Sequence, residues 1–164
     1  MAEIIAESGL SAGAIYGHYK SKDELIQSAI TEVLDARFTT AEPADGDLLP
    51  PPGEIILRFL GGIEHDMGAL GLLVQVWGQA VLDPSSRKAA DRIGVRLKEI
   101  FESYLRRWYV QDLGLQQEAA ARQAKKFAGL YLGIMQGYIV QSSIFASFDG
   151  PAYLEAASAI RPEA

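Results

Sequence analysis

Apolar positions along this chain recur at spacings of three and four, and no stretch sustains the alternation of period two, so the pattern predicts an all-α fold. Ile4 and Ile5 open a short apolar turn that stops at Gly9, a residue suited to the left-handed conformation that ends helices. Ser11 then caps a short helix, AGAIYGHY, which closes at Lys20. Ser21 and Glu24 have the spacing of a capping box, and Leu25, Ile26, Ala29, Ile30, Val33 and Leu34 carry a buried stripe onward to about Thr39.

The segment TTAEPADGDLLPPPG, Thr39 to Gly53, combines acids, glycines and three successive prolines, which cannot propagate a helix. It divides the chain into a region 1–40 and a region 53–164. In the second region Ile55, Ile56, Phe59, Leu60 and Ile63 make one helical face, and Leu72 to Leu82, with Trp77, make another. Asp83-Pro84 supplies a cap and a first-turn proline for a long helix bearing Ile93, Leu97, Ile100, Phe101, Tyr104 and Trp108 on one side. Gly114 breaks it; the next helix is expected from about Gln116 to Phe148, and Gly150-Pro151 opens a last one with Tyr153, Leu154, Ala157 and Ile160.

Residues Phe127 to Phe148 carry no formal charge and are long enough to span a bilayer. Gln136, Gln141, Ser142, Ser143 and the interspersed glycines weaken transfer into lipid, so burial against protein and no membrane is the expectation. Gly129, Gly133 and Gly137 recur every four residues on one ridge, although each costs about 1 kcal/mol against alanine in a helix. Such a ridge suits close packing within one subunit or pairing with a two-fold copy, and the apolar final helix (Tyr153, Leu154, Ala157) favours a homodimer through the last two helices.

Charge changes the picture at the amino end. The net charge is -6, and within residues 1–40 Lys20, Lys22 and Arg37 face Glu3, Glu7, Asp23, Glu24, Glu32 and Asp35, a local balance of -3. Any nucleic-acid contact there has to be local and geometric rather than the work of a basic surface. With no cysteine there is no disulfide framework and no thiolate metal site. The opening MAEIIAESG has acids where a secretory signal carries positive charge, and a cytoplasmic protein is expected. His18 and His65 lie on opposite sides of the proline segment, His65-Asp66 are sequence neighbours that point apart on a helix, and no phosphate-binding glycine loop or nucleophile elbow occurs. No enzyme, no metal and no cofactor is expected.

Two short helices around a glycine-containing turn describe a helix-turn-helix. Ile5-Ala6, Gly9-Leu10-Ser11, Gly13, Ile15-Tyr16, His18-Tyr19 and Ser21-Lys22, with Leu25 beyond, closely resemble the TetR family of bacterial transcriptional regulators, whose motif reads IA, GVS, G, LY, HF and SK in the same frame. Leu10, Ile15 and Tyr19 are conservative departures. The resemblance implies a helix ahead of this motif that the sequence has no room for, so the sequence is expected to lack its amino terminus. It also implies that Tyr16 and His18 touch phosphates, that Lys22 sits at the amino end of the following helix, and that Tyr19 is buried. Ser11, Ala12, Gly13 and Ala14 fall at the leading end of the recognition helix, where none can fork onto a base and only thymine methyls are within their chemistry.

The resemblance further implies that the second region binds a small ligand between its helices, dimerises through its last two, and controls a palindromic operator as a repressor. Phe59, Trp77, Phe101, Tyr104, Trp108, Tyr131 and Met135 recur at helical spacing and serve either as plain core or as the walls of a site for a hydrophobic or aromatic molecule. The alternative is a small-molecule-binding helical module that has lost DNA binding.

Overall fold

The computed structural model describes residues 11–41, 43, 47–61 and 67–162, with the backbone alone at 12, 22, 23, 67–70 and 85. All regular structure among them is helical, in agreement with the all-α expectation. Seven helices follow in order: α1 (Ala12–His18), α2 (Lys22–Ala41), α3 (Pro52–Leu60), α4 (Met67–Leu82), α5 (Pro84–Gln111), α6 (Gln117–Ile144) and α7 (Gly150–Ser158). The apolar turn at Ile4 and Ile5, and His65-Asp66, lie outside the described residues.

Local chemistry sets most of the boundaries. The Ser11 hydroxyl accepts from the Ala14 N–H at 3.1 Å and starts α1. At the head of α2 the Ser21 hydroxyl accepts from the Glu24 N–H at 3.1 Å, while the Glu24 carboxylate reaches back past Ser21 to the Lys20 N–H at 2.6 Å. Asp83 accepts from the Ser86 N–H at 2.7 Å, with Pro84 in the first turn of α5, where its missing N–H costs nothing. Gly114 has φ 64, the left-handed conformation that lets the chain reverse between α5 and α6.

Two ends differ from the sequence pattern. Helix α6 stops at Ile144 rather than Phe148, because Phe145 turns extended and Phe148 folds back, its ring 5.4 Å from that of Tyr138. Helix α7 stops at Ser158, and Ile160 lies beyond it, where its carbonyl accepts from the Tyr131 hydroxyl at 3.3 Å.

One core unites helices α2 to α7. Helix α2 contributes Ile30, Leu34, Phe38 and Ala41, of which Phe38 stacks 4.2 Å from Phe59 on α3 and meets Phe101 on α5 edge-on at 5.2 Å. Along α6 the fully buried row starts with Ala120, Ala124 and Ala128 and widens to Tyr131 and Met135. The small residues let α5 and α6 approach closely near their joined ends, and the large ones fill the space as the helices diverge. The proline segment is stitched down as well: the Tyr104 hydroxyl donates to the Pro50 carbonyl at 2.6 Å, and the Leu49 N–H donates to Gln111 at 3.1 Å.

Candidate functional site

Helix α1 is amphipathic on a small scale. Ile15 is buried and Tyr19, just past its end, is half-buried, whereas Ser11, Gly13, Ala14, Tyr16 and His18 are exposed. Tyr16 is 54% exposed, a large value for an aromatic residue. The side chains of Ala12 and Lys22 fall outside the description, though both lie at helix amino ends, Lys22 as the first residue of α2. Arg37 is spent elsewhere: its guanidinium donates to the Phe59 carbonyl at 3.1 Å and ties the far end of α2 to the end of α3. Of the positive residues in region 1–40, the two lysines therefore remain near α1.

Helix α2 is the mechanical link between α1 and the body. Its buried row sits in the common core, and its polar flank is bridged to α5 at two levels. Arg92 donates twice to the Gln27 side-chain Oε1, at 2.9 and 2.6 Å, and the Arg96 guanidinium lies 3.2 Å from the Asp35 carboxylate. Open grooves border this seam, one beside Ser21, Glu24, Lys88 and Arg92, the other beside Asp35, Thr39, Arg96 and Ser103. Because both partners of the Asp35–Arg96 pair are half-exposed, a double-mutant cycle with Asp35→Ala and Arg96→Ala is expected to give a coupling of only about 0.2–1 kcal/mol in chemical denaturation, halved or lost at high salt. A salt-insensitive coupling of several kcal/mol would show that the pair does more than decorate the apolar row beneath it.

The seven residues singled out as pocket walls do come together. Phe59, Phe101, Tyr104, Trp108, Tyr131 and Met135 belong to one buried cluster, with Trp77 of α4 packed half-buried against it. They meet as packed core: the Phe101 and Tyr131 rings stand 6.3 Å apart, and the Tyr104 and Tyr131 hydroxyls donate to the carbonyls of Pro50 and Ile160. Burial raises the Tyr131 pKa, with smaller contributions from Tyr109 and Tyr104, and burial also pushes that of Tyr109 up to about 12. Both phenols thus stay protonated donors at neutral pH. Tyr109 was not among the singled-out residues. It continues the row Leu97, Phe101, Leu105 at four-residue steps, and that periodicity is the signal that marks it as buried.

The glycine ridge divides in two. An added Cβ on Gly137 would lie 2.6 Å from the Tyr153 hydroxyl, which itself donates to the Ile134 carbonyl at 2.7 Å, so Gly137 and Tyr153 serve packing within the chain. Ala157 is likewise buried, against Gly53 of α3, and Leu154 packs half-buried on the core. Around Gly129 and Gly133 an added Cβ meets nothing within 4 Å. Leu130 and Ile144 share their side of α6 by helical spacing and are 53% and 58% exposed, leaving an apolar strip uncovered by the described residues.

A short exposed helix is joined by a capped turn to a long helix rooted in an all-helical body. Residues 1–29 match the family model for bacterial regulatory proteins of the tetR family. No curated protein and no solved structure matches it significantly. No described helix is long and apolar enough to cross a membrane.

Proposed function

We propose that this protein is a TetR family regulator, a ligand-responsive transcriptional repressor that binds a palindromic operator as a cytoplasmic homodimer. Region 1–40 forms the reading head with its connecting helix, and region 53–164 forms the ligand-binding and dimerisation domain. The family match over residues 1–29, joined to the exposure of Tyr16 on α1, is the observation that carries the reading. Ser11, Ala12, Gly13 and Ala14 lead the helix into the major groove, and Tyr16, His18 and Lys22 donate to phosphate oxygens. A hydrophobic or aromatic ligand enters among Phe59, Trp77, Phe101, Tyr104, Trp108, Tyr131 and Met135, and the strip at Gly129 and Gly133 pairs with its copy. No catalytic step is assigned.

Helix α2 conveys the ligand's effect, since its Ile30, Leu34 and Phe38 are set in the same core as the pocket residues while its first turn adjoins α1. A ligand changes operator affinity only by its differential affinity for the two head arrangements, about 1–3 kcal/mol in allosteric systems.

Selection of binding duplexes from a random-sequence pool, followed by anisotropy titrations at several salt concentrations, tests DNA binding. An inverted-repeat consensus is expected. Lys22→Ala should weaken every selected duplex about equally and reduce the slope of log affinity against log salt by about 1. Recovery of no enriched sequence, with only weak uniform binding, would favour the module that has lost DNA binding, to which the acidic balance of residues 1–40 also points.

A further inference from the structure

Three buried side-chain polar atoms among the described residues have no hydrogen-bond partner: Trp108 Nε1, the Tyr109 hydroxyl and Gln123 Oε1. The first two are consecutive on α5, their rings meet edge-on at 5.4 Å, and the residues are 2% and 0% exposed. The phenol oxygens of Tyr104 and Tyr131, which donate to the carbonyls of Pro50 and Ile160, accept from neither, and Gln123 Oε1, itself without a donor, is not bonded to either. Solvent does not reach them either.

A phenylalanine at Tyr109 would fill nearly the same volume without orphaning a hydroxyl, since leaving a buried donor unmade costs more than replacing it by an apolar group of like shape. Two adjacent donors held without an acceptor, in the cluster that walls the proposed pocket, therefore look outward to a guest. Its charge is constrained too. The described core contains no buried charged residue, so a carboxylate or ammonium carried into it would be stripped of water with nothing to pair with.

We infer that the ligand is a neutral aromatic or apolar molecule bearing a carbonyl oxygen, which accepts from the Tyr109 hydroxyl and the Trp108 indole N–H. This deepens the ligand-responsive reading and rests on it. Trp108 and Tyr109 are sealed in the core, so the guest has to part packed rings to reach them, and the hydrogen bonds it completes offset part of that disruption.

The test uses the full chain and three matched probes: 2-acetylnaphthalene, its hydrocarbon counterpart 2-ethylnaphthalene, and 2-naphthoate, followed by calorimetry. Wild type should prefer the ketone over the hydrocarbon by about five- to tenfold, the yield of one or two net hydrogen bonds, and bind the carboxylate most weakly. Tyr109→Phe should lose most of that preference, keep the hydrocarbon affinity within about twofold, and melt no lower than wild type. The inference is overturned by equal affinity of wild type for ketone and hydrocarbon, by a preference that Tyr109→Phe retains, or by a clearly lower melting temperature of that variant, which would mean the hydroxyl already has a partner. Binding without discrimination defeats this inference alone. If none of the probes binds wild type, the ligand site among these residues fails and the inference falls with it.

Discussion

Gly133→Leu is expected to leave the single chain folded and to abolish the proposed homodimer, with affinity for the proposed operator falling by about a hundredfold or more. Within the chain the position is open, nothing lying within 4 Å of an added Cβ, and leucine is a better helix former than glycine by nearly 1 kcal/mol, so the subunit itself should gain slightly. Across a two-fold contact the same side chain forces apart two backbones that glycine allows to approach, and the exposed Leu130 and Ile144 on that side lose their cover. Each half-operator would then be bound alone, without the effective concentration that a linked second head provides. Light scattering reports the mass and anisotropy the affinity. A dimer of unchanged mass with a raised melting temperature would remove this ridge from the interface.

Gly53→Ala should be among the most destabilising single-methyl additions in the protein, at about 3 kcal/mol, the upper part of the range for overpacking. An ideal Cβ there lies 2.6 Å from the Ser158 carbonyl oxygen and closer still to that of Ala157. These are backbone atoms of α7, which cannot swing aside as a side chain can, so the whole helix has to lift off α3. For a chain of this length the melting temperature should fall by roughly 6–12 °C. A melt within about 1 °C of wild type would mean that α7 docks less tightly than the geometry indicates. Gly133→Leu and Gly53→Ala thus separate two uses of glycine: an open position, proposed to receive another copy, and a closed contact inside the subunit.

Much of the architecture was legible without coordinates because it is encoded locally. Ser11, Ser21 with Glu24, and Asp83-Pro84 cap helices through atoms three or four residues away, and the three-and-four spacing of apolar residues names the buried face whatever it is buried against. The head motif was legible for the same reason, as one short frame of closely spaced residues, and the family match falls on it. What the sequence could not distribute was occupancy. Gly129, Gly133 and Gly137 are equivalent along one ridge, yet only Gly137 is filled, because Tyr153 returns from a helix whose docking angle is set by Gly53, nearly a hundred residues earlier in the chain. Likewise Tyr104, Tyr109 and Tyr131 share one residue type and one degree of burial. Two of the hydroxyls find carbonyls and one does not, a difference made by where the distant Pro50 and Ile160 come to rest. Periodicity and capping act within a few residues of one helix, whereas the partner of a buried polar atom or an open glycine depends on how the helices pack in three dimensions.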